Sequence, residues 1–556
     1  MIHPAAIVRA EQVTNAVSTS AYYTGRSAAL RRPSCFNYPR NYNQGWYTAN
    51  TTRFGTADLH ATSRVYYIAN CDCTDLQPLF GNYIITSGTG ENANTNAITV
   101  KASYEWNSTT YPVTWNGQTS IVLPAGVLAI PVPDPFPIHV TSGTSVPILT
   151  YVSVANNGEK WPIGPNAGAV NSGETFNYCQ YGFPVSAATN ASPIEITTST
   201  HGMSNGDAVF VSGALGNTAA NTPDGSLYYV TVTATNKVTL YSDSGRTTPV
   251  AGNGTYTANS AKIVRMATSG GTPVAGADKT GTAGALPNTG NYVYGPLSIL
   301  ATPKNGLNRR TTMCLGDSIQ CGQNAYPDDG YNLRKFRTNN LSYHHCGRGG
   351  DKLLAFMGGA STLNMARLAL LGDSTDLYIQ QMTNDITSSQ TLSQLQTNIF
   401  TAASFATHRG CRTWVQTVLP LTDVGTAPAA SQTPVATSPV RTALNDWLRD
   451  GCPYNTSTLV AAAVGATGSN IVRCKVYSST GVLLRGCDTN HPFLGGGVVD
   501  PCGVIEVDST NALTFNGGRV YCGAGNNVAW GDGTHPNTTC VGYLDAGTWF
   551  PASEFV

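Results

Sequence analysis

Three residue types that together turn a hydroxyl into a nucleophile stand at the two ends of one stretch of this chain. Gly316-Asp317-Ser318 follows directly on the short apolar run Thr311 to Cys314, and Gly531-Asp532-Gly533-Thr534-His535-Pro536 comes more than two hundred residues later. A serine hydroxyl attacks poorly at neutral pH. It needs an imidazole to take its proton and a carboxylate to hold that imidazole in the right tautomer. Ser318, His535 and Asp532 supply these parts. Only two residues separate Asp532 from His535, so one short loop or helical turn presents both.

For these groups to meet, the chain between them must be a folded layer that brings its ends together. From about residue 305 apolar runs alternate between strand and helix patterns. Thr311–Leu315, Leu341–His345, Leu377–Gln381 and Thr413–Leu419 read as strands; Lys352–Met357, Leu363–Leu371, Thr391–Phe405 and Val440–Leu448 read as helices. Ser438 and Pro439 suit the start of the last helix. This alternation predicts an α/β layer fold with a parallel sheet. Chemistry in such a sheet sits beyond the carboxyl ends of the strands, which is where Ser318 falls. Residues from about 465 to 527 break the rhythm with a Gly- and Cys-rich excursion.

Gly-Asp-Ser is not the Gly-x-Ser-x-Gly elbow of α/β hydrolases. Paired with Asp-Gly-Thr-His at the far end, it resembles the SGNH hydrolases, also called GDSL-type esterases. The likeness covers roughly residues 296 to 556 and implies a three-layer α/β fold, a serine esterase activity and no cofactor or metal. It assigns the nucleophile to Ser318 and the Asp-x-x-His pair to Asp532 and His535. A second block, Cys346-Gly347-Arg348-Gly349-Gly350-Asp351, points to Gly350 as an oxyanion donor beside the Ser318 N–H. A third block, Met382-Thr383-Asn384-Asp385, matches the family's Gly-x-Asn-Asp at Asn384, with Met382 where glycine is usual. A methionine there puts a bulky flexible side chain near the oxyanion hole, narrowing the acyl pocket or marking a decayed site.

Upstream the pattern is all-β. Arg64–Ala69, Ala97–Ala102, Ser120–Leu123, Val127–Val132 and Val146–Val154 are short β-rich runs between Asn, Gly, Pro and Ser turns. They predict a sandwich or jelly roll over 1–186, completed by 285–300. Residues 187–268 read as a small β module, with Asn205-Gly206-Asp207 as a turn and His201 as a turn residue. The module resembles small domains of phage and bacterial structural proteins that are likened to a part of ubiquitin-activating enzymes. A Gly/Ala/Thr-rich linker, 269–290, leads to the last domain, 301–556.

The 556 residues carry only 11 % charged side chains and no net charge, against about 25 % charged in ordinary domains. With no basic block to track phosphates, nucleic acid is excluded as a partner. No apolar run is long enough to cross a bilayer, and Met1-Ile2-His3-Pro4 does not begin a signal peptide, so the expected setting is a virion or the extracellular space without a classical leader. The fourteen cysteines leave two readings open, buried free thiols or disulfides, the latter most plausibly among Cys452, Cys474, Cys487, Cys502, Cys522 and Cys540. The resemblance and the accessory β units together imply deacylation, most simply O-deacetylation, of a host surface polysaccharide by a phage-borne protein. They imply contacts with other virion proteins and a homo-oligomer, trimers being common in phage fibres, although no heptad pattern sets a number. The rival reading is a non-catalytic structural or receptor-binding virion protein built on a hydrolase-like scaffold.

Overall fold

The structure is a computed structural model. It describes residues 58–504 with internal gaps, together with 36–37, 45–48 and 535–556 except 537. The longest stretches outside the description are 1–35, 422–437, 457–470 and 505–534.

The N-terminal part is β-rich. Its central strand, Asp58–Ala69, is flanked antiparallel by Ser145–Ser153 and Thr175–Val185, and Ser145–Ser153 pairs in turn with Ile98–Trp106. Toward the end of the central strand, Val65, Tyr67 and Ala69 are buried while Ile68 between them is exposed, the period of two that sets one sheet face on a core. The sheet does not stop at the expected module. Thr175–Val185 also pairs with Ala261–Met266, and the pairing continues through Ala208–Ser212, Tyr228–Ala234, Lys237–Tyr241 and Glu195–Thr197. These later strands close over an apolar cluster of their own, including Ile194, Val209, Val230, Leu240 and Ile263. His201 is buried, and its Nδ1 accepts the Met203 N–H at 2.9 Å. Further along the chain, Ser298–Pro303 lies antiparallel to Cys73–Leu79, and Tyr67 donates its hydroxyl to the Pro296 carbonyl. A further hairpin, Tyr83–Thr86 with Gly90–Ala93, buries Tyr83 and Ile85 in the apolar cluster that holds Leu315 and Leu353.

The C-terminal part is α/β. In chain order its elements are β1 (Thr311–Leu315), α1 (Tyr331–Thr338), β2 (Ser342–His345), α2 (Leu353–Phe356), α3 (Met365–Gly372), β3 (Asp376–Ile379), α4 (Thr383–Thr387), α5 (Leu392–His408), β4 (Arg412–Gln416), α6 (Ser438–Arg449), β5 (Lys475–Tyr477), β6 (Leu483–Arg485), β7 (Gly497–Val499) and α7 (Thr538–Ala546). The sheet order is β2-β1-β3-β4-β7-β5-β6, parallel except for β6 at the edge. Successive strand residues face opposite ways. Met313, Leu315, Leu377, Ile379 and Val415 join a cluster with Leu370 of α3, Ile399 of α5 and Trp447 of α6. Cys314, Tyr378 and Trp414 join the other, with Phe336 of α1 and Leu544 of α7. Helices therefore cover both faces, which is why these strands read as continuous apolar runs. Helix α5 starts where a capping box forms: Thr391 accepts the Gln394 N–H while the Gln394 side chain accepts the Thr391 N–H.

Two expectations change. The stretch from 465 is in part an extension of the sheet, because β5, β6 and β7 add to it. At three residues each they are too short to show a period. The disulfides are not found among the described residues: Cys452, Cys474, Cys487, Cys502 and Cys540 are free thiols, and Cys522 lies outside the description. Burial takes over the role assigned to them. Cys452 and Cys474 are fully buried in the cluster beneath α6, and desolvation holds the Cys452 thiol well above its ordinary range. No helix of the described residues is long and apolar enough to cross a membrane.

Candidate functional site

Ser318 stands just past the carboxyl end of β1, the second strand of the sheet. The turn that carries it is held from several sides. Asp317 N–H donates to the Gln380 side-chain oxygen at 3.0 Å, at the end of β3. The Asp317 carboxylate accepts the Ile319 N–H at 2.9 Å, and Gln323 N–H closes on the Ser318 carbonyl at 3.0 Å. Gly316 leaves no space for a side chain, since a Cβ there would meet Gln320 at 2.3 Å. Asp317 is fully buried. Burial pushes its carboxyl up to about 6, opposed by the Ile319 N–H, the Gln380 amide and the nearby His535.

His535 reaches this turn from the far end of the C-terminal part. Its Nε2 lies 2.6 Å from Ser318 Oγ. Ser318 and His535 are 6 % and 9 % exposed, buried but not sealed. Asp532, expected behind the ring, lies outside the described residues.

Two further sequence-nominated residues converge on the same place. The loop after β2 is tied to the nucleophile turn by Arg348 N–H donating to the Gly316 carbonyl at 3.0 Å. Gly349 packs so closely that a Cβ on it would lie 3.8 Å from Ser318 Cβ. Gly350 has φ +74°, a left-handed conformation that favours glycine. Among the described residues neither the Ser318 nor the Gly350 N–H donates to a protein acceptor. Asn384, half-buried on α4, donates Nδ2 to the Asp351 carbonyl at 3.0 Å, which binds it to this loop.

Met382 adopts φ +116°, keeping the backbone that a glycine would favour at the cost of strain. Its side chain is fully buried in the cluster with Leu315, Ile379 and Ile386. It therefore packs into the core, and the expected narrowing of the acyl pocket by this residue does not follow.

A second serine–histidine hydrogen bond of the kind a dyad uses joins Ser298 Oγ to His344 Nδ1 at 2.9 Å. Both residues are fully buried, and desolvation pulls the His344 ring down to about 3. With both residues sealed from any substrate and burial disfavouring the charged ring, this pair reads as a core contact.

Sequence reasoning did not single out Gln380, which pins the nucleophile turn, nor Glu91 and Arg367, which flank the Gly350 loop. Gln380 falls at a strand end, a position that could have drawn notice. Glu91 lies in another part of the chain with no local signal. Among the described residues no group of three or more His, Cys, Asp or Glu side chains is placed to hold a metal ion.

No protein-family model matches the sequence, and no curated protein matches it. Solved structures are similar at a distance. A GDSL-like lipase from Bacteroides thetaiotaomicron is 13 % identical, with 44 % of this chain and 89 % of that one covered at a TM-score of 0.26. A member of the lipolytic protein G-D-S-L family from Veillonella parvula is 11 % identical, with 42 % and 94 % covered at a TM-score of 0.24.

Proposed function

We propose that this chain is a serine ester hydrolase of the SGNH type. Ser318 is the nucleophile, His535 the general base and Asp532 the carboxylate that orients the ring. The observation that carries the reading is the 2.6 Å contact between Ser318 Oγ and His535 Nε2 at the carboxyl end of a central parallel strand.

In this mechanism the Ser318 hydroxyl gives its proton to His535 Nε2 as Oγ attacks the acyl carbon. The oxyanion is received by the N–H groups of Ser318 and Gly350 and by the Asn384 amide. Loss of one such donor typically costs about 3–4 kcal/mol of transition-state stabilisation. The imidazolium then protonates the leaving alkoxide. Water, activated by His535, hydrolyses the acyl-enzyme and returns the serine.

The proposed substrate is an O-acylated polysaccharide, with O-acetyl as the group removed, and the proposed setting is a phage particle acting on a host surface glycan. The β-rich N-terminal part and the low surface charge favour this choice, as does the family likeness read from the motifs. The decisive test compares wild type with S318A on a small acetyl ester and on acetylated polysaccharide. Release of acetate by wild type and not by S318A is the expected result. Equal release from both sinks the mechanism, and glycan binding without release by either supports the scaffold reading.

A further inference from the structure

Both of the outlying oxyanion donors hang on Asp351. Gly350 precedes it in the chain, and Asn384 bonds its carbonyl. The Asp351 side chain is itself fully buried. It accepts Arg367 Nη1 at 2.7 Å and Gln381 Nε2 at 2.6 Å. Arg367, also fully buried, has a second carboxylate beside it, Glu91, at 3.5 Å. Glu91 comes from the Tyr83–Ala93 hairpin of the N-terminal part, more than two hundred residues away. Its oxygens accept the Ala366 and Arg367 N–H groups at 2.9 and 2.6 Å, at the start of α3. The tip of the same hairpin lies over the loop: a Cβ on Gly350 would strike Ser87 Oγ at 2.0 Å, and one on Gly88 would lie 3.8 Å from the Gly350 carbonyl oxygen.

A buried guanidinium is tolerated only when its charge is met and its N–H groups are bonded. The charge of Arg367 is met by one carboxylate from each part of the protein, Asp351 at 2.7 Å and Glu91 at 3.5 Å. Burial pushes the Glu91 carboxyl up to about 7 in spite of the arginine charge and the Ala366 and Arg367 N–H groups that favour its ionised form.

We propose that the Tyr83–Ala93 hairpin is a working part of the candidate site, with Glu91 acting through Arg367 and Asp351 as a positioning residue for Gly350 and Asn384 and with Ser87 holding the Gly350 loop from above. The N-terminal part thus does more than display the enzyme. It completes the oxyanion side of the site, and the C-terminal part lacks one carboxylate of its own brace. The inference rests on the esterase reading for its catalytic consequence but not for its structural one.

Two readouts on the full chain test it. In E91Q, kcat on a small acetyl ester falls between about 10- and 100-fold while KM stays near wild type, because donors displaced by a fraction of an ångström lose the transition state more than the substrate. In the same variant, amide hydrogen exchange over residues 347–352 accelerates while exchange in β1 and β3 stays slow. S87G, an exposed change that leaves the core alone, shows the same two effects with smaller size. Wild-type kcat and wild-type exchange in E91Q overturn the proposal. So does a fall in kcat that only tracks the fraction of folded protein, with S87G unchanged in both readouts. If wild type itself releases no acetate but E91Q still loosens residues 347–352, the esterase reading fails and the brace stands.

Discussion

The molecule contains two serine–histidine hydrogen bonds, and their difference is instructive. Ser318–His535 at 2.6 Å and Ser298–His344 at 2.9 Å look alike as contacts. Both bring together residues from separate elements. The first sits at a strand end among loops, with Ser318 and His535 6 % and 9 % exposed and a carboxylate, Asp317, close to the histidine. The second joins the strand Ser298–Pro303 to β2 inside the core, where desolvation disfavours a charged ring. A hydrogen bond of the right length is therefore not enough for nucleophilic catalysis. The base must be able to carry a proton, and the nucleophile must meet a substrate.

The sharpest break of this comparison is a pair of serine substitutions on one ester assay. S318A is expected to lower kcat by about 10^4-fold or more, since a residue that acts as a unit with its base takes most of the catalysis with it. S298A is expected to leave kcat within about twofold. A reversal of the two results would move the active site into the core and end the present reading.

Acid stability comes next in size. The ring of His344 is pulled from its ordinary 6.5 down to about 3, and that of His345 likewise, both by burial. In the unfolded chain both rings charge below about 6.5. The unfolded state then binds more protons than the folded state, so the stability these neutral rings contribute is full above about pH 6.5. It is lost progressively as the pH falls toward about 3, by up to about 1.4 kcal/mol per pH unit for each ring. Thermal midpoints across pH 7 to 4 should show this slope, and H344Q should flatten it. An unchanged slope in H344Q would mean that the ring is not sealed as described.

Smaller again is the thermodynamic worth of the core pair. S298A removes the hydroxyl partner of a buried imidazole nitrogen and should cost about 1–3 kcal/mol in denaturant unfolding, with the esterase rate per folded molecule retained. S318A should cost less than S298A, since Ser318 and His535 are less completely buried than Ser298 and His344.

The smallest effect separates strain from packing beside the site. Both M382A and M382G lose the buried thioether side chain and should destabilise the fold. At φ +116° alanine keeps a penalty that glycine escapes, so M382G should be the more stable of the two by about 1 kcal/mol. The opposite order would show that the backbone relaxes when the side chain goes.

How much of this was legible beforehand varied with the kind of signal. The α/β alternation was readable because β1, β3 and β4 are buried on both faces and α5 and α6 carry helical periods. Short elements were not: β5 and β7 join the sheet through backbone bonds that three residues cannot announce. The expected disulfides among Cys452, Cys474, Cys487, Cys502 and Cys540 failed for a related reason. That region was read as lacking a core, whereas Cys452, Cys474, Phe493 and Val498 share one with α6.

At the site, Ser318 and His535 were nominated from the two short motifs that carry them, whereas Gly350 and Asn384 were implied by the resemblance of their blocks to the SGNH pattern. The same resemblance flagged the unusual Met382 but not the direction of its side chain. That direction follows from φ +116° and from the cluster around Ile386, which only the folded chain supplies. The residues that support the motif lay beyond reach for the same reason. Glu91, Arg367 and Asp351 become a brace only when a hairpin from one part is buried against a helix start in another. Short-range chemistry is written in the order of residues. The pairing of buried charges across the whole chain is decided by packing, since the energy of a desolvated ion depends on which partner the fold places beside it.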